Sequence, residues 1–409
     1  MRPLEGVRVV ELARVLACPF ATMILAELGA EVLKIEQPGE GDETRGYEPF
    51  VQETQSNQEN SDEVRSRERS AYFFACNRSK QSVTANIRDP EGQDIVRALL
   101  KDADIFIENF PKGSLARYGL DWPSLQRTHP RLLHISCTGF GQVGPLSHRK
   151  GYDTVFQAMS GLMSLTGERG GGPVKPGLPI ADLSSGLWIA MAALAMLQGR
   201  SSSGGGGHLD FSMLDGQISF LTLAAARYFA LGEVPERMGT EHPGRIPSAT
   251  FRCRDGAYVH ITGADQHWQP LCELLGLSQW GRDPRFASNS GRVRHRSEVM
   301  RTLETAIAAL TGEEVCERCD AAGVPAGPVR SIDTVLADAH VSARELRRTF
   351  DHPEAGRFDG LALPFKFDGF EPPAFSRPPL LGEHTDAVLR ERLGLDSEAI
   401  ARLRTKGAI

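Results

Sequence analysis

The sequence predicts an α/β protein: a Rossmann-like large domain built on a parallel sheet, plus a smaller α+β domain. Three observations predict this. The chain has 409 residues, more than the roughly 250–300 at which a single core stops growing, so two domains are expected. Strand and helix patterns alternate from residue 7 to about residue 200, the signature of βαβ units. Between 225 and 330 that alternation gives way to short mixed elements.

Val7–Leu12 (VRVVEL) reads as a buried strand and Val32–Ile35 (VLKI) as a second. Pro19–Leu28 between them is helical and stops at Gly29, a C-terminal signal. Strand, helix, strand at this spacing requires parallel pairing. The turn Ala13–Pro19 (ARVLACP) has no GxGxxG, which argues against a nicotinamide cofactor. Pro38–Asp42 is a loop, and residues 51–70 form a polar insert. Tyr72–Lys80 lead into a strand at Ser82–Asn86. Asp89, Pro90 and Glu91 open a helix, Gly92–Leu100, in good N-terminal order. Ile105–Ile107 and Leu132–Ser136 read as strands, with a short helix at Ser114–Tyr118. Leu187–Gln198 is an almost uncharged helix that closes the first part of the large domain, 1–200. Ser201–Gly207 has P-loop glycine content without GK[ST]. It reads as flexible and opens a linker, 201–224, that includes a strand at His208–Ser212. The small domain, 225–330, holds a strand at Ala257–Thr262 and helices around Gln266–Leu275 and Ser297–Leu310, and Gly323–Val329 leads out of it. In the tail, Leu363–Phe367 is strand-like and a closing helix starts at Asp386.

Composition excludes some functions. A formal net charge of -6 gives no reason to expect nucleic acid or an anionic membrane as partner. No uncharged run reaches the roughly 18 residues that span a bilayer. Glu5, Arg8 and Glu11 interrupt the start where a signal peptide needs an apolar centre. Seven scattered cysteines suit a reducing compartment, so the expected location is cytoplasmic. Cys316 and Cys319 form a CxxC with no second pair and no nearby His, so no metal is expected there.

One stretch carries chemistry, Pro179–Gly186 (PIADLSSG). Asp182 stands at the head of the apolar helix, near the positive end of its dipole. Two readings are open. Asp182 is an N-cap, or it is an ionised nucleophile ringed by small residues, so that a bulky electrophile can reach it; Ser184, Ser185 and Gly186 after it read as a small, flexible exit.

Several stretches together resemble the class III coenzyme A transferases, a family that also includes α-methylacyl-CoA racemase. They are PLEGVRVVELARVLACPFATMILAELGAEVLKIE, GDETR, NRSK, IENFPKGSLARYGL, TGFGQVGPLSHRKGYD, the Asp182 stretch, and PPLLGEHTD. The resemblance implies that Asp182 is the residue that becomes acylated. It implies CoA contacts at Val15 and Ala17, at Ala85, Ile87 and Arg88, at Asn109, Phe110, Ser114 and Arg117, and at Lys150, Tyr152 and Asp153. Arg88, Arg117 and Lys150 would meet phosphates, since cations grip phosphate well. No permanently bound cofactor is implied, with acyl-CoA and a carboxylic acid as substrates. The implied assembly is an interlocked homodimer whose large domain is completed by the C-terminal part within 331–409.

The resemblance also leaves alternatives. A racemase needs a proton-transfer group on each face of the α-carbon. Its His position is Tyr152 here, and a phenol titrates near 10, far from a neutral-pH base. The transferase reading is therefore favoured over the racemase one. A third reading is a CoA-binding protein without catalysis, in which Asp182 only caps its helix. Among transferases the pattern is most like the branch using succinyl-CoA and dicarboxylic acids. Arg45 and Arg245 are candidates for the acid's second carboxylate. Gly239–Gly244 is the candidate for the glycine loop that covers the intermediate in relatives.

Overall fold

Short apolar runs alternating with helices build the frame. β1 (Arg8–Leu12), β2 (Glu31–Glu36), β3 (Gln81–Thr84), β4 (Ile105–Glu108), β5 (Leu133–Thr138) and β6 (Gly207–Ser212) form one six-stranded sheet. Its order is β3-β2-β1-β4-β5-β6, and every pair is parallel. The order reverses between β1 and β4, so a crevice opens there beyond the carboxyl ends of the strands. This computed structural model describes residues 1–51 and 68–409. Apart from residues 51 and 68–70, the polar insert lies outside the described residues.

Alternate residues of each strand serve opposite faces of the sheet. Val9, Val32, Ile105 and Ile135 pack with the first helix, Ala17–Glu27, and with the long helix Ile180–Ser203. Val10, Leu33, Val83 and Phe106 pack on the other side with Pro90–Leu100 and two closing helices, Thr385–Leu393 and Ser397–Thr405. With both faces covered, the central strands are apolar runs rather than clean alternations. Asp89 caps Pro90–Leu100 by accepting the Glu91 amide at 2.8 Å.

Two compact units divide the chain. The first holds Met1–Leu162, Lys175–Ala226 and Ala339–Ile409, and the second Met163–Val174 and Arg227–Asp338. The second is built on the antiparallel strands β7 (Ser248–Arg252), β8 (Tyr258–Thr262) and β9 (Ala326–Pro328) over a core that includes Phe251, Trp268, Phe286 and Leu303. Cys319 is part of that core, Cys316 packs against it, and burial pushes the Cys319 thiol up to about 11. The 323–329 segment does not simply leave the unit, since it contributes β9 to the sheet.

The structure corrects three other expectations. The segment 201–224 is no linker. The long helix runs to Ser203 and ends on left-handed Gly204, then come β6 and the helices Met213–Ser219 and Thr222–Leu231. Its glycines serve close packing: a Cβ on Gly206 would stand 2.2 Å from the Leu132 carbonyl oxygen. The tail strand is not at 363–367 but in a hairpin of β10 (Arg347–His352) and β11 (Gly356–Leu361). Those strands are mostly polar, with Phe350 and Phe358 packing inward among charged and glycine neighbours, so hydrophobicity does not reveal them. Ser184, Ser185 and Gly186 are not a flexible exit. The two hydroxyls are buried and donate back to Ile180 and Ala181 carbonyls. A Cβ on Gly186 would stand 2.8 Å from the Ala17 carbonyl, so this glycine lets the first helix pack against the long one.

Residues 180–202 are long and apolar enough, by length and composition, to cross a membrane. In this structure the inner side of that helix packs on the sheet, and Leu187, Met191 and Leu194 are exposed on its outer side.

Candidate active site

Asp182 lies in the first turn of the long helix, and the helix cap comes from elsewhere. Pro179 precedes the helix and supplies no side-chain cap. Asp153, at the start of helix Asp153–Met159, accepts the amides of Ala181 at 2.8 Å and Asp182 at 3.1 Å through Oδ1. Gln157 Nε2 donates to its other oxygen. Asp153 thus does the capping that the sequence assigned to Asp182 as one of its two readings. The Asp182 carboxylate accepts no hydrogen bond from any described residue. It is half-buried, and burial, followed by the Asp153 charge, raises its pKa to about 7. Such a carboxyl is poised between acid and nucleophile near neutrality.

One phenol, Tyr72, lies within electrostatic reach of this carboxyl. Burial and the nearby Asp182 carboxylate push Tyr72 up to about 12. Tyr47 meets Tyr72 edge-on with ring centres 5.5 Å apart and donates to Glu43 at 2.9 Å. Tyr152 is 78% exposed, an aromatic ring left open to solvent at the same edge of the site.

A cavity of about 300 Å³ occupies the crevice where strand order reverses. Its wall brings together Ala85, Ile87, Arg88, Phe110, Ser114 and Arg117, six of the residues selected from sequence. Arg14, which the sequence reading missed, joins them and sits over the Phe110 ring at 5.5 Å. Arg14, Arg88 and Arg117 are exposed, and none forms an ion pair among the described residues. Three unpaired guanidiniums around a half-apolar cavity suit a phosphate-bearing ligand with an apolar arm. The other selected residues lie outside that wall. Asn109 holds Arg14 through both its backbone groups, Val15 has a left-handed backbone, and Ala17 is buried in the first helix. Lys150 is exposed.

The sequence reading also missed a buried charge cluster beneath the cavity. Lys34 Nζ lies 2.8 Å from Glu11 and 2.8 Å from Asp42, and Lys80 Nζ lies 2.9 Å from Glu11. All four side chains are fully buried. Burial works against the Glu11 carboxylate, but Lys34 and Lys80 outweigh it and hold its pKa below the ordinary range. A signal was available: Glu11 and Lys34 interrupt apolar strands, and they are register partners across β1 and β2. Arg45 is withdrawn as a substrate cation. It is buried and occupied by Glu36 at 2.8 Å and Glu68 at 2.7 Å. Arg245 is exposed in the second unit, and so is most of 239–244. Among the described residues, no group of three or more His, Cys, Asp or Glu is placed to hold a metal ion.

A parallel sheet with a cation-rimmed crevice at its reversal point, and a capped helix that presents a carboxyl free of hydrogen bonds from the described residues, fit an enzyme that handles a phosphate-bearing ligand. Residues 4–385 match the sequence model of CoA-transferase family III, and the chain belongs to that family. It is an enzyme that transfers CoA. It is 38% identical to succinyl-CoA:glutarate CoA-transferase of Mus musculus, over 100% of this chain and 91% of the relative. It is 39% identical to succinate–glutarate CoA-transferase of Agrobacterium fabrum, over 95% of each. A crystal structure of a CAIB/BAIF family protein from Brucella suis has the same fold, with a TM-score of 0.82 and 38% identity over 96% of this chain and 99% of that one.

Proposed function

We propose that this chain moves CoA from succinyl-CoA to a dicarboxylic acid by double displacement on Asp182. The observation that carries the proposal is the free, half-buried carboxyl of Asp182, whose capping duty Asp153 performs. The substrates of the similar mouse and Agrobacterium enzymes support the choice of donor and acceptor class.

In the first step an Asp182 oxygen attacks the donor thioester carbonyl, forming a mixed anhydride and releasing CoA thiolate. The thiolate then attacks the aspartyl carbonyl, giving an aspartyl-CoA thioester and the free donor acid. The acceptor carboxylate attacks that thioester, forming a second anhydride and freeing the thiolate again. Finally the thiolate takes the acceptor's acyl group and restores the Asp182 carboxylate. Every bond broken is matched by one formed, so the thioester energy is conserved. Arg14, Arg88 and Arg117 would hold the phosphates, and Phe110 would line the path of the arm. Tyr72, beside Asp182, would donate to the oxyanion of each tetrahedral intermediate. The exposed face of Leu187, Met191 and Leu194 suits a second copy of this chain as the cover, consistent with a homodimer.

A racemase reading lacks a second base. The position that would supply it holds Tyr152, and among the described residues the charge acting on Asp182 is that of Asp153. The test is a panel of mono- and dicarboxylic acids assayed for label exchange with succinyl-CoA. Dicarboxylates of four to six carbons should exchange fastest, and exchange confined to monocarboxylates would refute the substrate class.

The Asp182 carboxyl also predicts a pH profile. Since the carboxylate is the nucleophile, kcat/KM should rise with pH through about 7. In Asp153→Asn the rise should move to lower pH, because the like charge is gone while burial remains. The sign for stability is opposite. A folded pKa above the unfolded 3.8 means that this group favours the fold at low pH and that the contribution is lost as pH climbs through about 7.

A further inference from the structure

The turn after β1 is held from outside by side chains on almost every backbone group. Lys34 Nζ donates to the Ala13 carbonyl at 2.9 Å. Asn109 accepts from the Arg14 amide at 3.0 Å and donates to its carbonyl at 2.7 Å. Asp42 Oδ1 accepts from the Val15 amide at 3.2 Å, and the Cys76 thiol donates to the Val15 carbonyl at 3.6 Å. Four side chains thus clamp three residues.

The clamp coincides with backbone strain. Val15 has φ 70, the left-handed region. Among the described residues Ser79 and Glu345 are the other non-glycines there, and Val15 alone is β-branched. Glycine is the ordinary occupant of such a position, and a valine persists there only where its surroundings over-determine it. The turn is also functional ground, because Ala13 and Arg14 form part of the cavity wall. Asp42 lines the same cavity, is fully buried, and also accepts from the amide and hydroxyl of Thr44, which starts the segment carrying Tyr47.

We propose that Asp42 and Lys34 are positioning residues for CoA transfer: they hold Val15 in its left-handed conformation and so fix the cavity wall that receives CoA. The inference rests on reading the cavity as the CoA site. Without the carboxylate, the Val15 amide loses its acceptor, the turn relaxes toward the ordinary extended region, and Arg14 leaves the wall. The turn forms part of the wall read as the CoA site, so the effect is expected on the acyl-CoA KM and not on the acceptor KM.

The experiment is calorimetric titration with CoA, paired with steady-state kinetics and thermal melting. Asp42→Ala, which removes the acceptor of the Val15 amide, should weaken CoA binding and raise the acyl-CoA KM by about tenfold, with the acceptor KM unmoved. Adding Val15→Gly should restore most of the binding, because glycine takes positive φ without help. A merely structural role for Asp42 would not be rescued by a glycine at position 15. Cys76→Ala, which leaves no buried charge behind, should weaken binding about two- to threefold. Wild-type enzyme that fails to bind CoA would overturn the site reading and this inference with it. Wild-type binding matched by Asp42→Ala, or a loss that Val15→Gly does not restore, would overturn the positioning role alone. Should Asp42→Ala not fold, unchanged CoA binding and acyl-CoA KM in Lys34→Met overturn it.

Discussion

Asp182→Asn is expected to abolish CoA transfer, lowering kcat by at least about 10⁴-fold, the scale seen when a covalent nucleophile is removed. The amide is nearly isosteric with the carboxylate but cannot attack a thioester or carry an anhydride. The fold should survive, because the helix start is capped by Asp153 through backbone amides of residues 181 and 182. Those amides are unchanged in the variant. The check is intact-protein and peptide mass spectrometry after incubation with succinyl-CoA. Wild-type enzyme should gain CoA less one water on the peptide containing residue 182, and the variant should gain nothing. Transfer at an ordinary rate by Asp182→Asn, or an adduct on another residue, would refute the assignment.

Lys34→Met should cost about 3–5 kcal/mol of stability, the range for removing one partner of a buried ion pair. Lys34 faces Glu11 and Asp42 at 2.8 Å each, with no solvent access to any of the three. Burial alone would favour a neutral lysine, yet the Asp42 and Glu11 carboxylates override it and raise its pKa. Taking the ammonium away leaves two buried carboxylates with Lys80 reaching only Glu11. The matched control is Arg402→Met, whose pair with Glu91 is 3.8 Å apart and exposed, and which should cost under about 1 kcal/mol. Denaturant unfolding of both variants measures the difference. Equal midpoints would show that the cluster contributes no more than a surface pair.

Much of the frame was legible because it rests on local pattern. The apolar runs at 7–12 and 32–35, the helix between them ending at Gly29, and the Asp89-Pro90-Glu91 helix start all agree with the structure. Each depends on near neighbours in the chain. The β10–β11 hairpin was illegible because its strands are mostly polar, and too few apolar residues remain to show the alternation that marks a strand. The serine–glycine run at 201–207 misled because composition cannot tell a flexible glycine from one pressed against another strand, as Gly206 is against Leu132.

The candidate site divides in the same way. The sequence alone placed a carboxylate at the head of the long apolar helix, at Asp182. The family resemblance, carried by motif order, picked out Arg88, Phe110, Ser114 and Arg117, which the structure brings to one cavity wall. Only the tertiary structure decided that Asp182 does not cap its helix, because the capping carboxylate comes from Asp153, 29 positions earlier, across a contact that no local pattern encodes. It likewise decided that Arg45 is held by Glu36 and that Lys34 and Asp42 reach the turn at Val15. Charge and hydrogen-bond partners are chosen by three-dimensional proximity, and proximity between distant residues exists only once the chain has folded.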